Sequence, residues 1–92
     1  MQEIREQVFS AIHEIVKDKS IEIQNDTPLL GDGSVVDSMS LVELCLVLED
    51  MAGDLDFEFD WTSDAAMSRS RSMFRTAGAL ADAFIQQKKE QS

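Results

Sequence analysis

Asp37-Ser38-Met39-Ser40-Leu41-Val42-Glu43-Leu44-Cys45-Leu46-Val47-Leu48-Glu49-Asp50-Met51-Ala52-Gly53 is the stretch on which the reading of this chain turns. Leu41, Leu44, Cys45, Leu48 and Ala52 recur at helical spacing, which predicts a core-facing helix from about Ser38 to Ala52, stopped by Gly53. A second apolar stripe runs along roughly the opposite face. Met39, Val42 and Leu46 stand there at i, i+3 and i+7, and Glu43 and Asp50 share that face. A small bundle covers one wide face of a helix; a second apolar stripe edged with carboxylates is costly to leave wet. Either another segment covers it or it docks a partner. Methyl groups ringed by acids favour a basic, apolar-centred protein surface.

Outward from this helix the pattern stays helical. Ile4, Val8, Ile12 and Ile15, widened by Phe9, Ala11 and Val16, predict an amphipathic first helix over residues 2 to about 18, with Lys17 and Lys19 suiting its dipole. A long connection over 20–37 follows, with turn chemistry in Asn25-Asp26-Thr27-Pro28 and Gly31-Asp32-Gly33-Ser34. Ile21, Ile23, Leu29 and Leu30 are available to pack it down. Beyond Gly53, Asp54-Leu55-Asp56-Phe57-Glu58-Phe59-Asp60-Trp61 alternates acid and apolar with period two, a strand pattern that has no second run to pair with. It reads as an extended segment pinning Leu55, Phe57 and Phe59 or Trp61 onto the bundle. A short helix over Ser63–Met67 and a polar loop over Ser68–Ser72 come next. Thr76 then caps a last helix through Ala77, Leu80, Ala81, Phe84 and Ile85. Residues 1–86 are expected to form the domain, and a polar tail over 87–92 is expected to fray. The expected fold is all-α, an antiparallel bundle of three to four helices with a long first loop.

Composition narrows the function. Ninety-two residues with 43% apolar content suffice for a single modest core. One cysteine and one histidine leave no intrachain disulfide, no cysteine-based metal site and little room for histidine-dependent catalysis. The longest apolar run, Leu44–Leu48, is far too short for a membrane span, and Met1-Gln2-Glu3-Ile4-Arg5-Glu6 lacks the apolar core of a secretory signal, so a cytoplasmic monomer is expected. The net charge is −10. Between Ser20 and Arg69 there is no Lys or Arg, but twelve acids: Glu22, Asp26, Asp32, Asp37, Glu43, Glu49, Asp50, Asp54, Asp56, Glu58, Asp60 and Asp64. Such a surface repels nucleic acid and anionic membranes and steers toward basic protein patches; its bland reading is a solubilising coat.

Leu30-Gly31-Asp32-Gly33-Ser34-Val35-Val36-Asp37-Ser38-Met39-Ser40-Leu41-Val42-Glu43-Leu44 resembles the attachment-site region of the acyl carrier protein family: Asp-Ser-Leu heading the second helix, then an apolar-apolar-acid-Leu turn. Phe74-Arg75-Thr76-Ala77 with Leu80-Ala81 is similar to the family's last helix, particularly in peptidyl and specialised carriers. The resemblance implies an acyl-carrier-like fold and no catalysis. It implies 4′-phosphopantetheine on Ser38, attached from coenzyme A by a phosphopantetheinyl transferase, with Asp37 as the motif neighbour. It implies acyl cargo carried as a thioester in lipid (fatty acid), polyketide or related biosynthesis, and docking of partner enzymes on Met39, Val42, Glu43, Leu46 and Asp50. Aminoacyl and polysaccharide-linked acyl groups ride on the same scaffold in the family. Met39 replaces the usual leucine, a volume-conserving change. The segment from Asp54 to Arg75 is longer than in a typical fatty-acid carrier, which points to a specialised member. A phosphodiester suits a helix N-terminus, where N–H groups and the dipole meet it. With no histidine or lysine beside it, Ser38 suits modification by another enzyme better than self-activation.

Other readings compete. Ser40-Leu41-Val42-Glu43 is a capping-box pattern, so the helix could start at Ser40 and leave Ser38 idle. An unmodified acidic interaction module would use the same outer face. Cys45 sits on the core stripe as a small hydrophobe, and His13 falls off the apolar stripe as a surface residue. The Asp54–Asp60 alternation is no EF-hand: counted from Asp54, positions six and twelve are Phe59 and Ala65. Arg69, Arg71 and Arg75 read as a solvated loop. A serine hydrolase fails for want of a Gly-x-Ser-x-Gly elbow and of any histidine after Ser38.

Overall fold

The computed structural model describes residues 2–16, 20–29, 36–61, 63, 68 and 72–91. Three helices organise it: α1 (Gln2–Ile15), α2 (Ser38–Asp54) and α3 (Ala77–Gln91), with no β-strand among the described residues. The chain is an all-α bundle in which α1 packs against both α2 and α3. Val8, Ala11, Ile12 and Val16 from α1 and its exit meet Leu44, Cys45, Leu48 and Ala52 from α2 and Ala77, Leu80, Ala81 and Phe84 from α3 in one core. These are the stripes that the periodicity predicts. The first helix ends at Ile15, short of the expected residue 18, although the Val16 N–H still donates to the Ile12 carbonyl at 3.0 Å. Lys17 and Lys19 lie outside the described residues, as do Leu30 and the Gly31–Ser34 turn.

The described part of the long connection is bound to the start of α3. A helix begins with N–H groups that have no intrahelical acceptor. Here the Ala77 N–H donates to the Thr27 carbonyl (2.9 Å), the Gly78 N–H to the Asn25 carbonyl (3.0 Å), and the Ala79 N–H to Thr76 Oγ1 (3.1 Å). Thr76 is thus the cap its sequence position predicts, and the loop backbone supplies the other two acceptors. Thr27 Oγ1 accepts from the Gln24 N–H at 2.8 Å and closes the turn, while Leu29 is fully buried beneath it. Arg5 ties the three pieces together: its guanidinium donates to Asn25 Oδ1 at 3.1 Å and pairs with Asp82 on α3. The close approach explains Gly78, where a Cβ would stand 2.7 Å from the Asn25 carbonyl oxygen.

Gly53 does not stop α2. The helix runs to Asp54 and is closed by Leu55, and the left-handed residue after it is Asp56, with φ 63°. The Phe57 N–H reaches the Ala52 carbonyl (2.9 Å) and the Asp56 N–H reaches the Gly53 carbonyl (3.2 Å). This is the Schellman arrangement, and it swings Phe57 into the core. Aspartate tolerates that backbone better than most residues, which is why the turn falls there without glycine.

The extended segment expected over 54–61 is corrected at its start: Asp54 belongs to α2 and Leu55 and Asp56 form its closing turn, so only 57–61 runs outside the helix, and its partner is α3. The Phe57 ring meets Phe84 edge-on (centroids 5.0 Å apart, 71°), and Phe59 meets the same ring at 5.3 Å. Such aromatic pairs are each worth about 0.5–1.5 kcal/mol beyond their buried area. Two glutamines then replace a neighbouring strand. Gln87 accepts from the Asp60 N–H (2.6 Å) and donates to the Asp60 carbonyl (2.9 Å); Gln91 does the same for Glu58 (2.9 and 2.8 Å). The spacings match, because four residues of helix rise about 6 Å and two residues of strand about 6.7 Å. The expectation of a fraying tail after Gln86 is therefore corrected: α3 continues to Gln91 because its last turns carry this work. The short helix expected over Ser63–Met67 lies outside the described residues apart from Ser63. The polar loop expected over Ser68–Ser72 is corrected at its two described positions, since Ser68 and Ser72 are both helical; Met73 continues the helix, and Met73 and Phe74 are buried.

Candidate functional site

Asp37 caps α2. Its backbone is extended (φ −90°, ψ 179°), its carboxylate accepts from the Ser40 N–H at 2.7 Å, and its carbonyl accepts from the Leu41 N–H at 2.9 Å. The flanking Val36 is in the core and Leu41 packs half-buried against it, the placement of a hydrophobic staple. Together these fix Ser38 as the first residue of α2 and overturn the alternative in which the helix starts at Ser40. The signal was present in the sequence, since aspartate followed three residues later by a free N–H is a strong N-cap; the neighbouring Ser-x-x-Glu pattern competed with it.

Met39, Val42 and Leu46 are 78%, 47% and 50% exposed, and they are the large apolar side chains left exposed among the described residues. Glu43 and Asp50 are exposed beside them. No described segment covers the stripe, so the face beginning one residue after Ser38 presents methyl groups and carboxylates to solvent. Opposite it, four of the five residues of the expected core stripe, Leu44, Cys45, Leu48 and Ala52, are buried, while Leu41 is half-buried at the core's edge. Along the edge of the outer face, the Trp61 indole N–H donates to Glu49 Oε1 at 2.7 Å. Sequence reasoning placed Trp61 only as a packing residue and gave Glu49 no role.

Cys45 is buried, and its thiol is pushed up to about 12, chiefly by burial and secondarily by the charge of Glu49. It stays a neutral thiol and is no nucleophile at physiological pH. His13 is half-buried rather than fully solvated, beside Phe9 and Ile21. Arg75 is exposed and gives its carbonyl to the Leu29 N–H at 3.2 Å; Arg69 and Arg71 lie outside the described residues. No described helix is long and apolar enough to cross a membrane.

No protein-family model, no curated protein and no solved structure matches this chain. The functional reading therefore rests on the residues themselves.

Proposed function

We propose that the protein is a non-catalytic acyl carrier that bears 4′-phosphopantetheine on Ser38 and presents acyl intermediates to partner enzymes in lipid, polyketide or related biosynthesis. One observation carries this reading: Asp37 caps α2 so that Ser38 is its first residue, immediately ahead of an exposed stripe of Met39, Val42 and Leu46. An acyl carrier needs both features in that order, an attachment residue and next to it a surface on which enzymes can dock. The first turn of α2 contains no acidic residue, so a phosphodiester on Ser38 would meet the positive end of the helix dipole. The arm supplies a terminal thiol, which holds cargo as a thioester. The rest falls to this chain: Asp37 fixes the start of the helix, Glu43 and Asp50 attract basic partners, and Met39, Val42 and Leu46 give those partners apolar contact.

The exposed stripe would equally serve an unmodified interaction module, and the two readings separate by mass. Incubation with coenzyme A and a broad-specificity phosphopantetheinyl transferase should add one arm to the wild type and none to Ser38→Ala. Equal labelling of both, or none of the wild type, removes the carrier reading. Glu43→Lys with Asp50→Lys should slow loading at low salt without altering the fold, because close charge pairs between protein surfaces set association rates.

A further inference from the structure

Resting on the carrier reading, we propose that Trp61 and Glu49 form a second anchor of the docking surface, a receptor for an arginine or lysine of the transferase that modifies Ser38. Val42, Leu46, Glu49 and Gly53 follow one another at i, i+4, i+7 and i+11, so they run down one edge of the exposed stripe, while Glu43 and Asp50 run down the other. The half-buried Trp61 is drawn to the first edge by its hydrogen bond to Glu49. At Gly53 no described atom outside the helix's own backbone lies within 4 Å of where a Cβ would stand, so no described residue covers that end of the surface. An indole and a carboxylate in contact offer π-density and negative charge at one point, which a guanidinium or ammonium can meet together. Charge complementarity supports this occupant, since the sequence has no Lys or Arg between Ser20 and Arg69 and the outer face carries Glu43, Glu49 and Asp50.

The site is also held ready. Gln87 takes both the N–H and the carbonyl of Asp60, the residue before Trp61. The Asp60 carboxylate in turn accepts from the Ser63 N–H (3.1 Å) and hydroxyl (2.5 Å) on the other side. A side chain so flanked loses little freedom on binding, which is what makes a tryptophan effective as an anchor. Reach is not limiting. From Met39 to Glu49 the helix rises about 15 Å, inside the footprint of an ordinary interface of about 800 Å² per partner.

Trp61 is the sole tryptophan, so 5-fluorotryptophan labelling yields one fluorine resonance. Ser38→Ala protein so labelled is titrated with unlabelled transferase and coenzyme A, while loading of the wild type is weighed in parallel. Trp61 should shift or broaden on titration. Glu49→Gln, which keeps an acceptor for the indole N–H, should leave the free-protein resonance in place and weaken transferase binding about three- to tenfold. Loading with an unmoved Trp61, or with Glu49→Gln binding as tightly as wild type, overturns the anchor and leaves the carrier reading standing. A moved Trp61 and weakened Glu49→Gln without loading remove the modification and with it the anchor's role in loading Ser38, leaving only a surface that binds a basic protein. Neither loading nor movement overturns both.

Discussion

Two glycine-to-alanine substitutions in helices of this protein should change stability in opposite directions. Gly53 and Gly78 both lie within helices, and neither has a positive φ. Alanine at either site removes unfolded-chain entropy and gains helix propensity, together about 0.4–1 kcal/mol. At Gly53 no described residue opposes that gain, because the new methyl meets none of them within 4 Å outside its own helix backbone. The thermal midpoint should rise by about 2–8 °C on the scale of 4–8 °C per kcal/mol for a domain of this size. At Gly78 the methyl would sit 2.7 Å from the Asn25 carbonyl oxygen and 3.0 Å from its Cα and Cβ. Ordinary contact begins near 3.4 Å, so the loop must retreat, yet that carbonyl is the acceptor of the Gly78 N–H at 3.0 Å. Loss of that hydrogen bond costs about 1 kcal/mol, and local overpacking about 1–3 more. After the propensity gain, Gly78→Ala should be destabilised by about 1–3.5 kcal/mol. Urea unfolding followed by circular dichroism at 222 nm, with the slope checked for constancy, measures both variants. If Gly78→Ala is stabilised like Gly53→Ala, the loop at Asn25 does not rest on α3 and the account of how that helix is capped fails.

Gln87→Ala should cost about 1–3 kcal/mol, since it strips two hydrogen bonds from a partly buried backbone, while Gln91→Ala at its exposed counterpart should cost about 0.5–1 kcal/mol; equal losses would count against the strand-like pairing. Native Cys45 should resist iodoacetamide at pH 8 and react once the chain is unfolded. The same burial makes stability depend on pH: the thiol pKa is higher folded than unfolded, so its contribution is complete below about pH 9 and is lost as pH climbs toward 12, by up to about 1.4 kcal/mol per unit. A Cys45→Ala variant showing the same alkaline slope would assign that loss elsewhere. At neutral pH the thermal midpoint should rise in 0.2 M sodium chloride, where the Debye length is about 7 Å, because folding brings like charges together in a chain of net charge −10; a flat or falling midpoint means they are already balanced within the fold.

Local periodicity was enough to read the helices, the two faces of α2, the Thr76 cap and the inward Phe57 and Phe59, because each depends on residues within about two turns of one another. It was also enough to single out Met39, Val42 and Leu46 as a stripe the core could not cover, since an apolar run on the far face of an already buried helix is a conflict visible in the string. Where two local signals overlapped, the string did not choose. Asp37 and Ser40 are both good caps, and packing decided between them by drawing Val36 into the core and Leu41 against it. The end of α2 went the same way: glycine is the best local stop, but the core's demand for Phe57 carried the helix past Gly53 and set the left-handed turn at Asp56. The remaining features belong to tertiary structure alone. Gln87 meets Asp60 across 27 residues and Gln91 meets Glu58 across 33, while Arg5 reaches Asp82 across 77. A polar side chain on an exposed-looking turn carries no mark of the backbone it will pair with; that partner exists only once Phe57 and Phe59 have packed on Phe84 and laid the extended segment along α3.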